Sequence, residues 1–323
     1  MSITRHRHSS LRSYVMFVFL RLTLRPLLAL WPLTAAGMSI LPRLDAKITE
    51  KAPMPRGVVH EWVTLGGRRT ELSMPAGPSR GGTDTAILYL HGGAFIVAGI
   101  GTHRAITGKL ARGTGLPVFA LEYRQLPGVG VGTSVADALD AYRELLTERG
   151  FRRIVLAGDS AGGFLCGKVI ELATGAGLPS PTAWIGYSPW LDLDAGSNPD
   201  RSSRADSYLP IRKMRRLVPL LERGPVALAG ARSIVDVDPL VFPPTILITA
   251  EAELLEPDAI TLAERLMTAD VEVQLHSYAW QVHAFPMLLD QPQSREAIRL
   301  TAEFATAAVR AAEVADGRDE QAG

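Results

Sequence analysis

The chain has 323 residues, of which 47% are apolar and 21% charged, and its formal net charge is +1. This composition is typical of a globular protein, and the balanced charge gives no basis for nucleic-acid binding. The only cysteine, Cys166, excludes an internal disulfide and fits a reducing, cytoplasmic location. The length suits one large α/β domain with an accessory element.

The first 50 residues combine a basic start with apolar sequence that Arg21 and Arg25 interrupt. The longest uncharged run, 26–42, is shorter than the roughly 20 residues of a membrane span. The two arginines also argue against a signal peptide. They lie one helical turn apart, so we predict an amphipathic helix. Either this helix covers part of the protein, which we favour, or residues 1–44 make peripheral contact with a membrane surface.

Short apolar strands dominate the first half of the remaining chain. Spacing predicts strands over 58–65, 69–74, 85–90 and 116–122, and a helix over 135–146. Strands that alternate with helices form right-handed crossovers. We therefore expect a mostly parallel, doubly wound sheet.

The next strand, 154–157, runs directly into Gly158-Asp159-Ser160-Ala161-Gly162 and then into helical spacing. A strand that turns sharply into a helix with serine at the corner is the context of a nucleophile elbow. Glycines relieve the crowding at such a corner because they lack Cβ. The alternative is a glycine-rich turn with a capping serine.

A second glycine-rich segment, His91-Gly92-Gly93-Ala94, follows strand 85–90. Glycines after a strand let backbone N–H groups approach a developing oxyanion. An ordinary β-turn is the alternative. We predict Gly92, Gly93, Ala94 and Ala161 as the oxyanion hole.

Together with Glu122-Tyr123-Arg124 and Pro127, these segments resemble the hormone-sensitive-lipase family of α/β-hydrolases over residues 85–290. The resemblance implies an α/β-hydrolase fold with a helical cap, and carboxylic-ester hydrolysis by a Ser-acid-His triad. Ala94 stands where the family usually has a third glycine, and its Cβ narrows the loop. Leu126 replaces an alanine that is common in the family.

The resemblance also divides the chain. It implies that residues 1–50 form the N-terminal part of the cap. It also implies that residues 51–313 form the catalytic domain, which ends in a helix from about residue 294. An insertion at about 195–232, with a basic helix over 211–221, becomes the second part of the cap. We interpret the basic side chains of that helix as a solvated face. Residues 314–323 are predicted to be a flexible tail.

The triad acid is predicted from the segment after strand 245–249. Aligning Leu255 with the leucine of the family's Asp-Pro-Leu places Glu253 at the acid position. A glutamate can hold the imidazole and stabilise its positive charge. Glu251 is the second candidate and Asp258 the third. Asp258 also suits the first turn of the helix 258–267.

His283 is the predicted base because it lies in the loop after strand 271–278, 30 residues beyond Glu253. His276 lies within that alternating strand, which favours an ordinary strand position. His6, His8, His60 and His103 have no comparable context.

The sequence therefore predicts a carboxylesterase or lipase with the triad Ser160, Glu253 and His283, acting on short- to medium-chain acyl esters. No metal or organic cofactor is expected. An amidase or deacetylase would use the same triad. A non-catalytic small-molecule receptor is the alternative from another class. The plant gibberellin receptor resembles the family but lacks the triad histidine, which is present here.

Overall fold

A nine-stranded sheet organises the computed structural model, which describes residues 1–77, 84–194, 198–202, 204–288 and 290–322. The strands are β1 Ser2–His6, β2 Val58–Leu65, β3 Arg68–Pro75, β4 Thr85–Leu90, β5 Val118–Leu121, β6 Arg153–Asp159, β7 Ala183–Tyr187, β8 Thr245–Ala250 and β9 Val273–Tyr278. Their order is β1-β9-β8-β7-β6-β4-β5-β3-β2. The β2–β3 and β3–β5 pairs are antiparallel and the other pairs parallel. This confirms the predicted mostly parallel α/β-hydrolase sheet.

Helices cover both faces of this sheet. They are α1 Leu11–Leu22, α2 Leu24–Leu30, α3 Ala35–Lys51, α4 Ile100–Thr114, α5 Val131–Thr147, α6 Ala161–Ala173, α7 Ile211–Leu221, α8 Glu256–Thr268, α9 Phe285–Leu288 and α10 Pro292–Ala322. The central strands β4, β6, β7 and β8 are buried along their whole length. Two apolar cores form, one on each face, as the continuous apolar runs in these strands require.

Strand β1 is the main element that the sequence did not reveal. Residues 2–6 pair in parallel with β9, from Ser2 opposite Gln274 to His6 opposite Tyr278. The segment is polar and exposed along most of its length, so it carries no buried-strand pattern. Its stability comes from backbone pairing with a strand about 270 residues away, which no local signal reports.

The N-terminal helix is also more divided than predicted, because Thr23 separates α1 from α2 and residues 31–34 separate α2 from α3. Helix α4, after the His91 segment, was not predicted.

At the other end, α10 continues to Ala322 through the range predicted to be a flexible tail, whose last residue, Gly323, lies outside the described residues. Its Asp316 forms an ion pair with Arg153 at the start of β6, which ties the extension to the sheet. The predicted cap insertion at 195–232 includes 195–197 and 203, which lie outside the described residues. Its predicted helix 211–221 is α7.

Candidate active site

Ser160 lies at the corner between β6 and α6 and adopts a positive φ of 49°. A non-glycine residue in this region is strained and persists only where the surroundings enforce it. The turn is tight because β4 passes directly beneath it. A Cβ on Gly162 would lie 1.8 Å from the Leu90 carbonyl oxygen. Only glycine fits there, which supports the elbow interpretation.

Glu253 and His283 meet beyond the carboxyl ends of β8 and β9. Glu253 Oε2 is 2.7 Å from His283 Nδ1, and Glu253 Oε1 accepts a bond from the Ala250 N–H. Both side chains are buried. Nδ1–H therefore donates to the carboxylate, which leaves Nε2 as the basic nitrogen.

The acidic surroundings of His283 raise its pKa above 6.5. Burial alone lowers the pKa of this imidazole, but the hydrogen bond and charge of Glu253, helped by Asp206 and Asp159, outweigh it. Among the described residues, His283 Nε2 and Ser160 Oγ make no hydrogen bond to each other. Such catalytic bonds are often loose until substrate binds.

Three residues outside the predicted set hold the loops of Glu253 and His283 in position. Asp206 Oδ2 accepts a bond from the Leu254 N–H at 2.8 Å, next to Glu253. The Tyr208 hydroxyl donates to the His283 carbonyl at 2.9 Å, and Ser188 Oγ accepts from the Ala284 N–H. The sequence carried no signal for Asp206 and Tyr208, because they lie in the insertion, far from either loop along the chain.

The oxyanion prediction needs one correction, which concerns Gly92. Its N–H donates to Asp159 Oδ1 at 3.0 Å, so this group is engaged in holding the loop and is removed from the predicted donors. In the described part of the chain, the N–H groups of Gly93, Ala94 and Ala161 donate to no acceptor. Gly93 and Ala94 have positive φ values of 113° and 54°, so the loop is sharply bent.

Asp159 connects the elbow to the oxyanion loop through a buried network. Its carboxylate accepts bonds from the Tyr89 hydroxyl at 2.8 Å and from Gly92, and it lies 3.1 Å from His103 Nε2. His103 Nδ1 faces the Gly99 carbonyl at 2.8 Å. Because both ring nitrogens face acceptors, the protonated imidazole could donate to both of them. Burial opposes that charge, but Asp159 raises the pKa of His103 on balance. The sequence pattern around His103 had indicated no role for this residue.

We expect Asp159→Asn to lower the free energy of unfolding by about 3–5 kcal/mol, since it removes the buried carboxylate that pairs with His103 and accepts bonds from Tyr89 and Gly92. Urea unfolding of the two proteins measures this difference. Asp290→Asn is the matched control, because Asp290 forms an exposed pair with Lys109 and its loss should cost under about 1 kcal/mol. Equal losses from the two substitutions would contradict the role assigned to Asp159.

The alternative candidates for the triad acid and base do not take part in the contact between Glu253 and His283. Glu251 is exposed, and Asp258 is buried in an ion pair with Arg201. His276 Nδ1 lies 3.0 Å from His6 Nε2 between β9 and β1, and burial lowers its pKa to about 4. Across the described ranges, no group of three or more His, Cys, Asp or Glu side chains is arranged to hold a metal ion.

Comparison with known proteins finds esterases and an acetyl-hydrolase of similar sequence or fold. A family model for the alpha/beta hydrolase fold matches residues 87–287. Esterase LipU of Mycobacterium tuberculosis is 31% identical over 69% of this chain and 78% of its own length. An acetyl-hydrolase of Streptomyces hygroscopicus is 32% identical over 68% and 74%. The crystal structure of an esterase from the bacterial hormone-sensitive lipase family superposes with a TM-score of 0.78 and 26% identity, covering 94% of this chain and 100% of that one.

Proposed function

Because the chain belongs to the hormone-sensitive-lipase family of α/β-hydrolases and is a carboxylesterase/lipase-type ester hydrolase, we propose that it works through an acyl-enzyme on Ser160. Glu253 and His283 complete the proposed triad. The observation that carries this proposal is the buried 2.7 Å contact between Glu253 Oε2 and His283 Nδ1. Their loops follow β8 and β9 at the same edge of the sheet as the Ser160 elbow after β6, because these strands are parallel.

In the proposed reaction, His283 Nε2 takes the proton from Ser160 Oγ as this oxygen attacks the ester carbonyl. Glu253 keeps Nδ1 protonated and stabilises the imidazolium that forms. The N–H groups of Gly93, Ala94 and Ala161 donate to the developing oxyanion. His283 then protonates the leaving alcohol, and water repeats the sequence on the acyl-enzyme.

We propose short- to medium-chain acyl esters as the substrate class. The similarity to a protein named acetyl-hydrolase supports a small acyl group. Ala94 also supports this, because its Cβ occupies space in the oxyanion loop that a third glycine would leave free.

The experiment that tests this is a series of p-nitrophenyl esters of increasing chain length, with the matching p-nitroanilide amides. We expect kcat/KM to be highest within the short to medium esters and the amides to turn over far more slowly. Preference for the amides would replace the proposal with an amidase. Turnover of none of the esters or amides would favour a receptor.

We also propose that residues 1–50 and the 195–232 insertion together form the cap. The Arg21 guanidinium donates to the carbonyls of Asp206 and Arg204, and Arg25 donates to the Asp206 carbonyl at 3.1 Å. Lys213 Nζ donates to the Trp31 carbonyl at 2.6 Å. Asp206 also supports the Glu253 loop, so these contacts link the cap to the triad.

The same ester series tests the cap. Replacing both Arg21 and Arg25 with Ala should lower kcat/KM or shift the preferred chain length, because the insertion loses its N-terminal support. The matched control replaces Arg265 and Arg310, which are exposed on α8 and α10, with Ala. It should alter neither kcat/KM nor the preferred chain length. Identical profiles for both double variants would refute the cap assignment.

A further inference from the structure

The outer face of α1 and α2 is apolar although it faces outward. Seven large apolar side chains on these helices are at least 47% exposed: Leu11, Tyr14, Val15, Phe19, Leu22, Leu27 and Leu30. Leu30 and Leu22 are 83% and 71% exposed. Soluble proteins rarely expose apolar side chains in such a contiguous group, and those that do use it to bind a partner or a membrane.

The inward side of the same helices carries both apolar and polar side chains, and Met16, Phe17 and Leu20 pack against one of the two cores. Arg21 and Arg25 reach inward to backbone carbonyls of the insertion, and Ser13 Oγ donates to Gln291 at 3.1 Å. An ordinary surface helix presents its charged side chains to water, whereas these helices present apolar side chains outward and turn Arg21 and Arg25 inward. The orientation suits surroundings less polar than water.

Charge indicates the nature of those surroundings. Residues 1–44 contain six arginines and no Asp or Glu, although the whole chain has 33 acidic residues against 34 Lys and Arg. Arg5, Arg7 and Arg12 are exposed at the N-terminal end of the apolar face. A basic margin beside an apolar helical face matches an anionic lipid surface, where headgroups meet the arginines and acyl chains meet the apolar side chains.

By length and composition alone, Leu11–Leu30 is apolar enough to cross a membrane, and only 6% of its most apolar window is buried. The contacts favour a different arrangement. Strand β1 is paired with β9, and both arginines within the segment are bonded to the folded body. Spanning would break these bonds and place two arginines in hydrocarbon, which is costly.

We propose that the outer face of α1 and α2 is a docking surface for anionic membranes, lying parallel to the bilayer without crossing it. The docked helices stay attached to the loop of His283, because Trp280 contacts the rings of Tyr14 and Phe17 with centroids 5.2 and 5.7 Å apart. The surface is independent of the proposed ester chemistry and is tested without a substrate.

The test is sedimentation of the full chain with sucrose-loaded vesicles of phosphatidylcholine, with and without an equal amount of phosphatidylglycerol. We expect tighter binding to the anionic vesicles, weakened by salt. Leu22→Glu and Leu30→Glu should each lower the partition coefficient at least about tenfold. Leu240→Glu is the matched control, because Leu240 is 72% exposed on another surface and its substitution should leave binding unchanged.

A second set of variants separates the contribution of charge to vesicle binding from that of apolar burial. Replacing Arg5, Arg7 and Arg12 with Gln should weaken binding to anionic vesicles about 100-fold and to neutral vesicles little. The same change at Arg56, Arg265 and Arg310, which are also exposed, should have a much smaller effect. Equal effects of the two triple variants would overturn the proposal.

Three further results would also overturn it: no binding to anionic vesicles, bound protein that alkaline carbonate fails to release, and a dimer in light scattering that Leu22→Glu converts to a monomer. Failure to release would show a span, and the dimer would show that the face belongs to a second copy. Thermal melting of each variant confirms that it is folded before vesicles are added.

Discussion

Replacing Ser160 with Ala should abolish ester turnover while leaving the fold intact. The nucleophile and its base act as a unit, so losing the hydroxyl should lower kcat by about a million-fold, to the rate that the oxyanion donors and binding alone support. The alanine methyl fits the same corner, because it only removes an oxygen atom. Hydrolysis of a short p-nitrophenyl ester by the purified variant measures the loss.

Ser134→Ala is the control for this substitution. Ser134 is also buried, and its hydroxyl donates to the Arg124 carbonyl, remote in the chain from the elbow. It should retain turnover. An organophosphonate should inactivate the unmodified protein and add its mass to Ser160. Stoichiometric labelling of a different serine would show that the elbow does not carry the nucleophile.

Glu253→Gln should lower kcat by about two to four orders of magnitude. A glutamine amide is uncharged, so it cannot stabilise the imidazolium, and its NH₂ group can turn toward Nδ1 and favour the wrong tautomer. Glu251→Gln is the matched control, because Glu251 lies two residues earlier and its side chain is exposed. It should lower kcat by less than about tenfold. If the two effects were reversed, Glu251 would be the triad acid.

The same pair of variants has a pH signature. His283 acts as a base only when neutral, so kcat/KM should rise with pH through the raised pKa of this residue, above 6.5 in the unmodified protein. Glu253→Gln removes the carboxylate that raises the pKa and leaves the burial that lowers it. The midpoint of the rise should therefore move to lower pH. A midpoint that stayed in place or moved upward would contradict the assigned pairing.

The parts of the site that the sequence predicted are those encoded in short segments. The elbow at Ser160 and the loop at Gly93 each follow a buried apolar strand directly, so local spacing was sufficient. Glu253 required an alignment through Leu255, which is why Glu251 stayed open. The contact between Glu253 and His283 is the geometry expected of the first choice.

What the sequence missed depends on contacts between distant segments. His103 looked unremarkable because its partner, Asp159, is 56 residues away. The one available signal was the acidic residue inside an otherwise small and apolar elbow, since a buried carboxylate requires a partner. Asp206 lies in an irregular segment of the insertion, where neither helical nor strand periodicity applies. Gly92 was assigned as a donor because its bond to Asp159 arises only when β4 and β6 lie side by side.

The pairing of β1 with β9 has a consequence for the order in which the protein is made. Residues 2–6 leave the ribosome before their partners near residue 276, which are synthesised about 270 residues later. A domain folds as a unit, so the proposed nucleophile and oxyanion segments, between 91 and 161, are made long before the sheet that supports them can be completed. The loop of His283 follows β9 directly. The residue proposed to accept the proton is therefore the last of the proposed triad to be synthesised, and residues 2–6 stay unpaired until β9 has been made.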